Sequence, residues 1–241
     1  MNALLAVVST PLSAPLIAAT RLRKGSTNSA RGAAKLLADA LATTRRAGAI
    51  GLLLVRADSA YYGYDIVAAV RRAGARFSVT ARLIVRRVRR LNPATTATRQ
   101  TGKQGELFAV YRYHAVFTDS AEPTLAAEAT HRDHAIVEQV IAELKNGPLA
   151  HLPSGVFTAN AAWLVCAAMA HNLTRAAGAL AGGHHRRTRT ATIRTQLIHT
   201  PARIAHSAHR QVLHLPRDWP WEPGLDELFR RALHDPLPAA A

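Results

Sequence analysis

Acidic residues are scarce in this chain, 15 Asp and Glu against 31 Lys and Arg, so the positions they occupy are informative. Asp58 follows the unbroken apolar run from Ile50 to Val55 and precedes a helical stretch. In open α/β sheets the carboxyl ends of strands are where ligands and metals collect. Glu138 stands within His131-Arg132-Asp133-His134-Ala135-Ile136-Val137-Glu138-Gln139. At about 100° per residue, His131, His134, Glu138 and Lys145 share one helical face, while Ile136, Val137, Val140 and Leu144 share the other. An Asp at a strand end and a Glu on a later helix offer the hard oxygen ligands that magnesium or manganese takes. In phosphoryl transfer two such ions activate the attacking oxygen and stabilise the leaving one. Against this stand plainer readings: Asp58 caps its helix or pairs with Arg56, and the Glu138 face is simply solvated.

Composition narrows the partners. The formal net charge is +16 and half the chain is apolar (49%), which excludes wholesale disorder and points to a polyanion, most simply nucleic acid. One cysteine excludes a disulfide framework and fits a reducing cytoplasm. No stretch reaches the 18 or so apolar residues a membrane span needs, and the apolar start lacks a basic segment and is interrupted by Pro11 and Pro15.

Several elements must position these residues. Leu4 to Ser9 and Leu16 to Leu22 read as strands. Ser29 is the expected N-cap of a helix through Arg46, with Leu36, Leu37 and Leu41 on one face and Gly48 past its end. Ile50 to Val55 reads as a strand buried on both faces. Tyr64 to Arg72 reads as a helix stopped by Gly74, and Ala75 to Thr80 as a further strand. This alternation predicts an α/β sheet with some parallel pairing. Two more strands are expected, the arginine-rich Leu83 to Leu91 and, beyond the connector Pro93 to Gly105, Leu107 to Phe117. One long helix is predicted over about 124–145 and another over about 158–180. From His184 to Arg210 there are six Arg, five His and no acid. Candidate strands near Ile193 to Ile198 and Gln211 to Leu215 would form a basic hairpin there.

Val55-Arg56-Ala57-Asp58-Ser59-Ala60-Tyr61 and the run from His131 to Lys145 resemble insertion-sequence transposases of the DDE type. So do Leu152-Pro153-Ser154-Gly155 with Asn160, Trp163 and His171-Asn172-Leu173, and the closing Leu215-Pro216-Arg217-Asp218-Trp219-Pro220-Trp221. The resemblance implies a ribonuclease-H-like mixed sheet with flanking helices, whose three carboxylates hold two magnesium ions. It implies transposition by phosphodiester cleavage and strand transfer on double-stranded DNA. Asp58 then matches the family's second Asp and Glu138 its Glu, both metal ligands, and Lys145 its lysine seven residues on. The family's Tyr and Arg fall on His131 and His134, which depart in residue type.

The family's first Asp lies on a strand preceding the one that opens this chain. The one acid before Asp58 is Asp39, expected in mid-helix and no substitute. The expectation is therefore a core over residues 1–183, incomplete at its first strand and shortened after about residue 80, with a basic tail over 184–241. The chain would be an inactive fragment, since removing one member of a catalytic unit costs orders of magnitude in rate. Its rival is a non-catalytic basic DNA-binding protein that interferes with a full-length transposase, and a homo-oligomer is an option for either.

Arg86, Arg87, Arg89, Arg90, Arg186, Arg187 and Arg189 are the expected DNA contacts, because without nearby acids they would repel one another. Phosphate contacts of this kind give affinity but little sequence readout. His131-Arg132-Asp133 lacks the companions of a kinase catalytic loop. His184-His185 is expected in a solvated loop, and Cys166 as a small core residue. An RNA-binding role is disfavoured by the few aromatics (5%).

Overall fold

The computed structural model describes residues 1–28, 30–61, 63–78, 82–89, 111–118, 122–132, 136–207 and 210–234. The chain divides into two compact units, residues 1–51 with 135–241, and residues 52–134.

In the first unit, β1 (Asn2–Val8) pairs antiparallel with β2 (Leu16–Arg23), and a bulge falls where Ala6 faces Ala19 but Val7 faces Ile17. Helix α1 (Ala33–Arg46) buries Leu36, Ala40 and Leu41. It begins after Gly32, not at the expected Ser29 cap, and Ser29 lies outside the described residues. Gly32 takes φ +79°, and a Cβ there would stand 2.8 Å from Nη1 of Arg21, whose guanidinium donates to the Gly32 carbonyl at 3.2 Å. A side chain at this position would meet backbone strain and would have to displace the Arg21 guanidinium. Helices α4 (Ile136–Lys145) and α5 (Phe157–Ala181) complete the core, in which Ile17, Val140, Leu144 and Ala168 come together. Val140 and Leu144 are 0% and 2% exposed. Each such burial contributes roughly 1.5–3 kcal/mol.

Beyond α5 the expected strand at Ile193 to Ile198 is helical. Helix α6 (Thr190–Ile193) continues into a π turn over Arg194–Ile198. Ile193 and Leu197, four residues apart, bury on one side with Ala181 and Leu225, so the operative period is that of a helix. A hairpin does form, from β7 (Arg203–Ser207) and β8 (Arg210–His214), and α7 (Glu222–His234) follows.

In the second unit, β3 (Leu54–Arg56) runs parallel to β4 (Arg76–Ser78), with α2 (Tyr64–Arg72) between them in sequence. The expected buried strand from Ile50 is shorter and more open: Ile50 and Leu52 are 97% and 69% exposed. Among the described residues β3 has one paired neighbour, β4. Strand β5 (Arg82–Arg89) pairs antiparallel with β6 (Tyr111–Thr118), and Ile84 packs on Ala127 of α3 (Thr124–Arg132). Residues 107–110 of the expected strand lie outside the described residues. The described strands thus form four two-stranded sheets in a mixed α/β chain.

Candidate functional site

The predicted single helix over about 124–145 is two helices, α3 and α4, in different units, with 133–135 outside the described residues. His131 belongs to α3, where its Nδ1 lies 3.1 Å from Oγ of Ser78 on β4. His134 is not among the described residues. Glu138 and Lys145, two helical turns apart, are both exposed on α4. Asp58 is exposed two residues past the end of β3, and its carbonyl accepts from the Tyr61 N–H at 2.9 Å, opening a short 3-10 turn.

The opposite side of α4 carries a carboxylate with another task. Glu143 Oε1 and Oε2 lie 2.8 and 3.0 Å from Nη2 of Arg175 on α5, and both side chains are buried. Gln139 Nε2, Thr190 N–H and Thr190 Oγ1 also donate to Glu143, at 3.1, 3.2 and 2.8 Å. Nη1 of Arg175 donates to the Thr188 carbonyl. Burial alone would raise the Glu143 carboxyl, but hydrogen bonds from Thr190 and Gln139 together with the Arg175 charge hold it below its ordinary value. Burial, with the Arg175 charge, pushes the His171 imidazole down. Neither Glu143 nor Arg175 figures among the sequence-derived site residues. A signal existed: Arg175 is the one Lys or Arg in a 25-residue apolar helix, where a lone charge needs a buried partner.

The other polar residues of α5 bind backbone. Asn172 accepts from the Ile17 N–H and donates to the Ile17 carbonyl, both at 2.9 Å. Asn160, fully buried, accepts from the Ser154 N–H at 3.1 Å and donates to the Ser154 carbonyl at 2.6 Å. Trp163 donates to the Pro148 carbonyl at 2.7 Å. Cys166, expected in the core, is exposed. The helix buries Leu164, Ala167, Ala168 and His171, and position 166 falls on the other side. His185, expected in a solvated loop, is buried. Its Nε2 and that of His184 each lie 3.1 Å from Oε1 of Gln196, the two rings are 3.8 Å apart, and Trp221 stands beside them.

The arginines differ among themselves. Arg86 pairs with Oε1 of buried Glu128 at 3.0 Å, and Arg132 with its Oε2 at 3.0 Å. Arg87 is exposed and lies over the Tyr111 ring at 4.6 Å. Arg89 ends β5, and Arg90 lies outside the described residues. Arg186, Arg187 and Arg189 are all exposed.

A family model described as transposase DDE domain group 1 matches residues 96–235, more than half of the chain. The chain belongs to this transposase family. Glu138, Lys145 and the α5 motif fall inside the matched residues of the transposase, and Asp58 falls before them. Comparisons with curated proteins and with solved structures give no match. DDE transposase domains act on DNA and generally use divalent metal ions. Asp58 and Glu138 are suitable oxygen donors. Among the described residues no three His, Cys, Asp or Glu side chains gather as a metal centre. No described helix is long and apolar enough to cross a membrane.

Proposed function

We propose that this transposase-family chain binds double-stranded DNA through its exposed arginines, and that Asp58 and Glu138 are two of the carboxylates its family uses for magnesium or manganese. The carrying observation is the family match across Glu138 and Lys145, which stand together on the exposed side of α4 in an acid-poor chain. Lys145, two turns from Glu138 and exposed, would hold a DNA phosphate. Arg187, Arg189 and Arg186 supply further phosphate contacts, with Arg87 from the other unit. The order hairpin, helix, strand, helix, strand over residues 2–78 supports a ribonuclease-H-like core.

Asp39, in the middle of α1 and paired there with Lys35 at 3.6 Å, is not at a strand end and does not match the family's first Asp. With two of the family's three carboxylates matched, Asp58 and Glu138, cleavage is expected to be slower by orders of magnitude than with three. The non-catalytic reading, DNA occupancy that interferes with a complete transposase, is favoured by the same count and makes the same binding prediction. The test is nicking of supercoiled plasmid in magnesium and in manganese, with Asp58→Asn and Glu138→Gln beside the unaltered chain. No metal-dependent nicking, with binding that falls steeply as salt rises, supports the reading. Nicking lost in both variants overturns the inactive part and leaves the ligand assignment standing. Binding that does not respond to salt overturns the DNA reading.

A further inference from the structure

The β7–β8 hairpin buries almost nothing. Every residue of β8 is exposed, as are Arg203, Ile204 and His206 on β7, with Ile204 and Leu213 at 62% and 50%. A lone two-stranded hairpin is marginal in water. Both ends of this one, however, leave a packed base: Leu197 lies before it, and Leu215, Trp219 and Trp221 after it, all against Leu225. Register and alternation put Arg203, Ala205, Arg210, Val212 and His214 on one face, and Ile204, His206, Gln211 and Leu213 on the other. The first face has Arg203 opposite His214 at one end, Arg210 at the other, and the Ala205–Val212 pair between them. No described acid pairs with Arg203 or Arg210, and residues 144–217 contain nine Lys or Arg without one Asp or Glu.

We infer that this ribbon is a DNA-reading arm that enters the major groove with its Arg203, Arg210 and His214 face toward the base edges. The inference rests on the DNA-binding reading above and assigns it an element. Strands about 4.8 Å apart and five residues, about 17 Å, long make a ribbon that a groove about 12 Å wide admits. Arginine paired to guanine O6 and N7 is the commonest specific contact there, and small apolar side chains suit the thymine methyl. The surrounding absence of acids complements the phosphates on either side.

The test is fluorescence anisotropy of the full chain on a mixed-sequence 30-base-pair DNA duplex across a salt series. Arg203→Ala/Arg210→Ala, which removes two base-facing side chains, is expected to weaken binding at least tenfold across the salt series. His206→Ala/Gln211→Ala, on the opposite face, should bind like the unaltered chain and shows that the hairpin tolerates substitution. Methyl green, which occupies the major groove, should compete, whereas distamycin in the minor groove should not. Duplex RNA, whose major groove is deep and narrow, should bind more weakly than DNA. Unchanged binding by the arginine double variant, or competition by distamycin alone, overturns the inference and leaves the DNA-binding reading intact. Failure of the unaltered chain to bind any duplex overturns both.

Discussion

Helix α4 carries two glutamates five residues apart, and their surroundings are opposite. Glu143 is buried, and Arg175, Gln139 and Thr190 all donate to it. Glu138 is exposed, on the side of the helix that also shows Lys145. In a chain with 15 acids, part of the supply is consumed as structural anchors. Glu143 ties α4, α5 and the start of α6 together, and Glu128 does the same for β5 and α3 through Arg86 and Arg132. A carboxylate committed to a buried guanidinium is not available to an ion. The exposed acids are the ones that can be.

The sharpest way to break this contrast is Glu143→Ala. Leaving Arg175 buried without its partner should cost about 3–5 kcal/mol, read as a lowered urea midpoint. An unchanged midpoint would mean that Arg175 relaxes to solvent and that the anchor is dispensable. Gly178→Ala comes next. A Cβ at position 178 would stand 2.6 Å from Cδ1 of Ile193 and 2.7 Å from the His185 carbonyl. A loss of about 1–3 kcal/mol and earlier proteolytic cutting beyond residue 182 are expected, whereas a wild-type digestion pattern would show that the close approach is unnecessary.

A third prediction concerns acid. His171 and His185 have imidazoles pushed below the ordinary value of 6.5, chiefly by burial. Each is neutral in the fold and charges more readily when unfolded, so its contribution is present above 6.5 and is lost as pH falls below it. Glu143, held below its ordinary 4.5, adds a loss at lower pH still. Melting temperature should therefore fall on going from pH 7 to pH 5, and His171→Gln with His185→Gln should flatten that slope. A slope unchanged in the double variant would assign it elsewhere. The smallest effect is expected at Glu138→Gln, within about 0.5 kcal/mol as for other surface changes. A large loss of stability there would place Glu138 among the anchors and remove it as a ligand candidate.

Much of the local structure was legible in the residues. The first two strands, the Tyr64–Arg72 helix with Gly74 beyond it at φ +64°, the parallel pairing of β3 with β4, and the long α5 all follow from period and punctuation. What was not legible depended on partners distant in sequence. The apolar run at 50–55 reads as a buried strand until one counts its neighbours, and Ile193 to Ile198 reads as a strand until Ala181 and Leu225 demand a helical stripe. The same holds for the candidate site. Spacing puts Glu138 and Lys145 on one helical face, and the match over 96–235 shows the family that the residues around them resemble. Arg175 is invisible to spacing because its partner lies 32 residues away on another helix.

The Asn172 clamp has one more consequence. A carboxamide offers the same donor and acceptor as a peptide group, so at Ile17 helix α5 behaves as though it were an adjoining strand. The N–H and carbonyl it satisfies are those a foreign strand would need in order to add to β2, and open sheet edges are where chains associate wrongly. One side chain thus closes a docking position along the sheet margin.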